Sequence, residues 1–190
     1  MNSKNKINGF TLVEALVAIS ILMVAVTSPM AIAQRGLASA VYSKDQMTAT
    51  FLAQDALEYI KNVRDYVGLN KNSADDPGGL IQTDWLGVLS QCYKEDGGCK
   101  IDTIKPVPIG VTKENPTGLL KINRDSNGNL LYYDYTSNIV SKFSRIVEIT
   151  LSPDNNEALV AVTVRWPSTN GVEYNSVVLQ NYIYDYWENL

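Results

Sequence analysis

Residues 10–33 read FTLVEALVAISILMVAVTSPMAIA, and this stretch decides the architecture of the chain. Glu14 is its single charged residue. At 1.5 Å per residue, about 24 helical residues extend about 36 Å, which exceeds the roughly 30 Å hydrocarbon core of a bilayer. The stretch therefore predicts a helix that crosses a membrane once.

Basic residues precede the apolar stretch and predict its orientation. Lys4 and Lys6 lie among the first nine residues, which contain no acid. By the positive-inside rule the N-terminus stays in the cytoplasm and the rest of the chain faces outward. A secretory signal peptide is the alternative, because residues 31–33 (Ala-Ile-Ala) resemble a signal-peptidase site. The apolar stretch far exceeds the core of a signal peptide, about 7–15 residues, which favours a retained span.

Glu14 is the informative residue of the span. A charge inside an apolar span costs about 2.5–3.5 kcal/mol on insertion scales, so such residues usually have a functional partner. The alternative is that the Glu14 side chain lies at the membrane interface and reaches toward water. The composition of the span alone leaves both interpretations open.

The string KNKINGFTLVE, from Lys4 to Glu14, resembles the prepilin signal of type IV pilins and type II secretion pseudopilins. In that family a membrane-embedded aspartyl peptidase cuts after the glycine, and the new N-terminal residue is methylated. The resemblance implies cleavage after Gly9, N-methylation of Phe10 and a role for Glu14 in filament assembly. The free amine of Phe10 in a neighbouring subunit would then neutralise the Glu14 carboxylate.

The resemblance, which covers residues 1–35, also implies partners and a location. The expected partners are other pilin subunits, prepilin peptidase, an inner-membrane assembly platform and, before assembly, membrane lipid. We expect a single-pass cytoplasmic-membrane protein with its N-terminus inside, which later joins an extracellular pilus or a periplasmic pseudopilus.

Three functions fit these features. The first is a minor pilin, a structural subunit of a type IV pilus. The second is a pseudopilin of a type II secretion or competence system, which shares every N-terminal residue named above. The third, of another class, is a membrane-anchored binding module that never polymerises.

Pro29 departs from a simple straight span. A proline inside a helix removes one backbone hydrogen bond and clashes with the preceding turn, which predicts a kink or local melting. The resemblance implies the same, since pilin helices often carry a breaker here. The alternative is a proline that the membrane helix tolerates without distortion. Gly36 is a second position at which the helix is expected to be less stable.

Residues 35–67 continue the helix in amphipathic form. Apolar side chains recur there at steps of three and four residues and predict one face packed on a sheet. They are Leu52, Ala56, Tyr59, Ile60, Val63 and Val67. Gly68 is the predicted C-cap. We therefore divide the chain into a leader (residues 1–9), a membrane or filament-core helix (10–34), an amphipathic half (35–67) and a globular head (68–190).

Two cysteines, Cys92 and Cys99, lie close together, with Asp96-Gly97-Gly98 between them as a tight turn. An even, closely spaced pair predicts a disulfide in an oxidising compartment, with free thiols as the alternative. Two cysteines in a chain without histidine do not make the four ligands of a structural zinc site.

The last third of the chain predicts an antiparallel sheet, so the fold class is α+β and pilin-like. Apolar and polar residues alternate along its segments, and turn sequences separate them. The predicted strands are residues 119–123, 130–135, 145–151, 159–166 and 172–184. Asn170-Gly171 is the hairpin turn before the last strand. A short helix is predicted over residues 84–89.

The composition points away from catalysis and nucleic-acid binding. Histidine, the commonest general base, is absent, and 20 acidic residues outnumber 16 basic ones. No phosphate-binding G-x-x-x-x-G-K-[ST] motif occurs, so an assembly motor would be another protein. We predict no catalytic residue, no cofactor and no metal.

Two further features carry alternatives. Asp125-Ser-Asn-Gly-Asn129 resembles the start of a calcium loop, but Leu130 and Thr136 replace its glycine and its final acid, so we favour a plain hairpin turn. Asp75-Asp76 is interpreted as solvated loop. The aromatic cluster Tyr182, Tyr184, Tyr186 and Trp187 is interpreted as a cover for the sheet or helix, with an exposed contact patch as the alternative.

Overall fold

The computed structural model describes residues 9–70, 85–106, 111–113, 118–153, 157–168 and 171–184, apart from the side chain of Ser28. Its contacts divide the chain into two units, Met1–Lys44 and Asp45–Leu190. One helix, α1 (Leu12–Asn70), contributes to both units. From here on, the head means this second unit, residues 45–190, rather than the predicted range 68–190, and the N-terminal segment means residues 12–44 of α1.

The part of α1 inside the head is amphipathic, as predicted. Its buried side chains follow the helical repeat and form one side of the core. They are Ala49, Leu52, Ala53, Ala56, Leu57, Tyr59, Ile60, Val63 and Val67. This face packs on an antiparallel sheet, which confirms the predicted α+β class.

Gly68 does not end the helix, so the prediction of a C-cap there is wrong. α1 continues through Gly68 to Asn70. The Asn70 side-chain amide donates a 2.7 Å hydrogen bond to the carbonyl oxygen of Tyr66. This contact ties the Asn70 side chain back to the preceding turn, at the end of the helix.

Five strands form the main sheet: β3 (Leu119–Arg124), β4 (Leu130–Asp134), β5 (Ile139–Leu151), β6 (Glu157–Pro167) and β7 (Tyr174–Tyr184). Their order in the sheet is β4-β3-β5-β6-β7, and every neighbouring pair is antiparallel. A second, two-stranded sheet pairs β1 (Lys100–Ile101) with β2 (Val111–Thr112). One short helix, α2 (Trp85–Val88), confirms the helix predicted near residue 85.

The predicted strand faces are confirmed in β5 and β6. In β6 the side chains of Val160, Val162, Val164 and Trp166 are all buried, while those between them are not. β5 begins at Ile139, six residues earlier than predicted, since its first part pairs with β3. That part carries polar side chains and so lacks a clear apolar alternation.

The predicted disulfide joins Cys92 and Cys99, and both residues are fully buried. Its loop docks on the middle of β5, where the backbones of Cys99 and Val147 exchange two hydrogen bonds of 2.9 and 3.0 Å. Gly98 has φ +77°, and a Cβ built there would lie 2.6 Å from the Val147 carbonyl oxygen. The close approach of loop and strand therefore requires glycine at this position.

Arg145 lies inside the head with its side chain 1% exposed. Its guanidinium donates to the carbonyl oxygens of Leu52 (2.7 Å) and Ile101 (2.5 Å), and it pairs with the Asp55 carboxylate at 3.2 Å. Its Nε has no hydrogen-bond partner among the described residues. One buried cation thus ties α1, β1 and β5 together.

The turn between β3 and β4 is a hydrogen-bonded hairpin turn, as predicted. The Asp125 carboxylate accepts the backbone N–H groups of Asn127 and Asn129, at 2.9 and 2.8 Å, and the Asn129 side-chain amide. The described residues hold no cluster of three or more metal-ligating side chains.

Several predicted features, including Asp75-Asp76 and the Asn170 position of the last hairpin, lie outside the described residues.

Candidate functional site

The predicted processing site is accessible at the start of the described chain. Gly9 and Phe10 precede α1, and both are exposed, Phe10 to 74%. A Cβ built at Gly9 meets no atom within 4 Å. Since a peptidase must bind extended, accessible backbone, the Gly9–Phe10 bond has the exposure that cleavage needs.

Thr11 caps the helix that follows. Its hydroxyl oxygen accepts a 3.3 Å hydrogen bond from the backbone N–H of Glu14. This is the capping geometry of a threonine three residues before a glutamate, and it satisfies one of the free N–H groups at a helix start. We did not single out Thr11 from the sequence, although the spacing of Thr11 and Glu14 carried that signal.

Glu14 lies in the first turn of α1 and is exposed. The described residues give its carboxylate no ion pair. An acidic side chain in the first turn interacts favourably with the helix dipole, by about 0.3–1 kcal/mol. This local benefit is smaller than the roughly 2.5–3.5 kcal/mol cost of a charge in an apolar span, so the helix start alone does not account for Glu14.

Apolar side chains cover all sides of the first part of the N-terminal segment. Between Phe10 and Ile32, about a dozen large apolar residues are exposed in the single chain. Covering each of them is worth about 1.5–3 kcal/mol, hence at least about 18 kcal/mol for a dozen side chains together. α1 is long and apolar enough to cross a membrane, by length and composition. This surface requires lipid or other protein around it.

Two hydroxyl side chains in the apolar part of this segment donate hydrogen bonds within the helix. Ser20 donates to the Leu16 carbonyl oxygen at 2.8 Å, and Thr27 donates to that of Met23 at 3.0 Å. Hydroxyl groups that bond back to the preceding turn present little unsatisfied polarity outward. They are therefore compatible with an apolar environment.

α1 continues through Pro29 and Gly36 without a break in the helix. The predicted local melting at Pro29 is not a feature of this structure, and the kink stays a prediction. Gly36 has open space around it, since a Cβ built there meets nothing within 4 Å.

The predicted aromatic cluster is seen in part. Tyr182 and Tyr184 lie on the same face of β7 and are 55% and 44% exposed, while Ile183 between them is buried. This exposure favours the contact-patch interpretation over a cover for the core. Tyr186 and Trp187 lie outside the described residues.

Comparison with known proteins gives one match. Residues 4–28 match the family model of the prokaryotic N-terminal methylation motif. No curated protein and no solved structure matches the chain. The match spans Gly9, Phe10 and Glu14, together with the first half of the exposed apolar helix. This chain therefore carries the N-terminal methylation motif that is typical of type IV pilin-like prepilins, a structural rather than a catalytic family.

Proposed function

We propose that this chain is a structural subunit of a type IV pilus-like filament, in the role of a minor pilin. Its precursor is held in the cytoplasmic membrane by the apolar part of α1, with the N-terminus inside and the head outside. Prepilin peptidase cuts after Gly9, and Phe10 is then methylated at its new amino group.

The observation that carries this proposal is the exposed apolar helix within and beyond the methylation motif. A plain membrane anchor needs the apolar helix but neither the motif nor an acid near its start. A filament subunit needs all three. Cleavage removes Lys4 and Lys6, which hold the N-terminus at the cytoplasmic face. The α1 helix then exchanges lipid contacts for contacts with other subunits' helices, which are driven by packing rather than by the hydrophobic effect.

In this mechanism Glu14 determines the position of each subunit along its neighbour in the filament. The Phe10 amine of one subunit is a cation in the same apolar surroundings as the Glu14 carboxylate of the next. Each charge is less costly to bury when paired than when alone, because an uncompensated charge in an apolar medium is expensive. A subunit shifted along its neighbour would leave both charges unpaired, so the pair selects one position.

The first test is the N-terminal mass of the chain produced with its own peptidase. A mature chain that begins at methylated Phe10 is expected. A chain that begins at Gln34 would mean a secreted protein, and an intact Met1 would mean an uncut anchor. Either of these would overturn the proposal.

The second test separates pairing from helix capping. We expect Glu14→Ala and Glu14→Gln to abolish filament incorporation while membrane insertion and cleavage after Gly9 continue. Thr11→Ala is the matched control, because it removes the cap hydrogen bond to the Glu14 N–H but leaves the carboxylate. Equal loss of incorporation in Thr11→Ala and Glu14→Ala would show that Glu14 acts only at the helix start.

A pseudopilin of a secretion or competence system would share this mechanism. The genes that accompany the chain distinguish the two roles, since a secretin-linked secretion operon and a retractile pilus operon differ in content.

A further inference from the structure

Strand β7 is an edge strand of the five-stranded sheet, and it is unusually regular for a strand in that position. It pairs with β6 in unbroken register over its whole length, from Tyr174 opposite Pro167 to Tyr184 opposite Glu157. Among the described residues no strand pairs with its other side. About half of its backbone N–H and C=O groups therefore point away from the sheet, as they do along any edge strand.

Edge strands often carry charged residues, prolines or bulges that prevent pairing with another chain, and β7 carries none of these three. The sequence YNSVVLQNYIY contains no charged residue and no proline, and its pairing with β6 contains no bulge. The opposite edge, β4, differs in length, regularity and charge. It has five residues, a register shift beside Arg124 and the acidic residue Asp134 at its end.

The pattern of β7 reads nearly the same in both directions. Residues 174–182 are YNSVVLQNY, which is centred on Val178. An antiparallel copy centred on the same residue brings like residues together: Tyr174 with Tyr182, Asn175 with Asn181, Ser176 with Gln180, and Val177 with Leu179. Such cross-strand pairs stabilise a sheet, and uncharged strands bring no like-charge repulsion.

We propose that β7 is a self-pairing edge, at which two copies of this chain join their sheets through antiparallel β7 strands around Val178. The outward face fits this arrangement, since Tyr174, Val178 and Tyr182 are 71%, 51% and 55% exposed. Over nine paired residues, about eight to ten backbone hydrogen bonds would form between the two strands. The result is a continuous sheet of ten strands.

The register follows from the side chains. A two-fold axis one residue further along, at Leu179, would place Asn175 opposite Ile183 and Val177 opposite Asn181. Each of those pairs places an amide opposite an aliphatic side chain. The amide then lacks a hydrogen-bonding partner and the aliphatic side chain lacks an apolar one. The axis at Val178 avoids both mismatches.

The geometry also determines which copies meet. A two-fold axis perpendicular to the sheet reverses every direction in its plane, including that of the part of α1 packed on it. Subunits within one filament share a single direction, so this contact would join subunits of different filaments. That consequence rests on the proposed function, whereas the pairing itself does not.

Single cysteines on the full chain in detergent test the pairing and its register. In the proposed dimer the two Val178 Cβ atoms lie about 4.5–5.5 Å apart, whereas the two Ser176 positions lie about 14 Å apart. We expect Val178→Cys to form a covalent dimer on mild oxidation, and Ser176→Cys to form at least about fivefold less. A mixture of Ser176→Cys and Gln180→Cys chains should cross-link to each other. The native disulfide is buried and leaves no free native thiol to interfere.

The cross-linking pattern decides the matter. Association through the apolar helices, or non-specific aggregation, would cross-link Val178→Cys and Ser176→Cys equally and would overturn the proposal. The absence of any Val178→Cys dimer would overturn it as well.

A charge across the axis gives an independent test. Val178→Lys places two ammonium groups opposite each other, and like charges directly opposite destabilise a strand pair. We expect it to weaken self-association by about tenfold or more in analytical ultracentrifugation. Thr150→Lys is the matched control, since Thr150 is exposed on β5, two strands away from the edge. Unchanged association in Val178→Lys would contradict the proposal.

Discussion

Replacing Gly98 with alanine should weaken the head far more than the same change at Gly97. Both glycines have positive φ, +86° at Gly97 and +77° at Gly98, where an alanine costs about 1–2 kcal/mol. Their surroundings differ. A Cβ at Gly97 meets nothing within 4 Å, whereas at Gly98 it would lie 2.6 Å from the Val147 carbonyl oxygen.

The extra cost at Gly98 comes from the loop that it anchors. No carbon atom stays 2.6 Å from a carbonyl oxygen, so the disulfide loop must move away from β5. That movement weakens the two hydrogen bonds between Cys99 and Val147, each worth about 0.5–1.5 kcal/mol. We expect Gly98→Ala to lower the free energy of unfolding by about 2–4 kcal/mol, and Gly97→Ala by about 1–2 kcal/mol.

Urea unfolding of the isolated head, residues 45–190, with the disulfide intact measures both values. The buried core residues all lie within this unit, from Ala49 to Ile183, and Trp85 and Trp166 are buried fluorescent reporters. If the two variants lose the same free energy within about 0.5 kcal/mol, the close approach of Gly98 to β5 is not a constraint on the fold.

Two further predictions concern charged groups of the head. Arg145→Ala should cost about 3–5 kcal/mol in the same unfolding assay, because it removes the hydrogen bonds to two buried carbonyl oxygens and the ion pair with Asp55. Arg165→Ala on the exposed face of β6 should stay within about 0.5 kcal/mol, and similar losses in the two variants would refute a central role for Arg145. Burial by itself would raise the pKa of Asp134, but hydrogen bonds from Ser137 and the adjacent threonine outweigh it and hold the pKa below its ordinary value of 3.8. A lowered pKa stabilises the fold above pH 3.8, and this contribution is lost as the pH falls through the folded-state pKa. Asp134→Asn should therefore cost about 1–2 kcal/mol at pH 7 and less than that at pH 2. An equal loss at both pH values would contradict the role of the charge.

Much of the fold follows from patterns that are short in sequence. The 3.6-residue repeat places Leu52 and Ile60 on one face of α1, and the two-residue repeat places Val160 and Val162 on one face of β6. The disulfide was predictable because Cys92 and Cys99 are seven positions apart and a glycine turn lies between them. Each of these patterns is set by backbone geometry, which needs no knowledge of the rest of the chain.

The candidate site was also largely readable from the sequence, because its chemistry lies in one continuous string. Gly9, Phe10 and Glu14 fall within the residues that match the methylation motif. Thr11 was missed although its spacing from Glu14 was visible. The partner of Glu14 is a proposal, since a pairing between subunits involves a second chain.

By itself, then, the sequence determined the membrane-length helix, the amphipathic face, the alternating strands and the processing motif, because each depends on neighbours within a few residues. The tertiary structure decided what depends on distant segments. It buried Arg145 between α1 and β1, pressed Gly98 against β5 and left β7 at an edge of the sheet. These three features arise from contacts between residues far apart in the chain, and no local repeat encodes which strand lies outermost or which charge is enclosed.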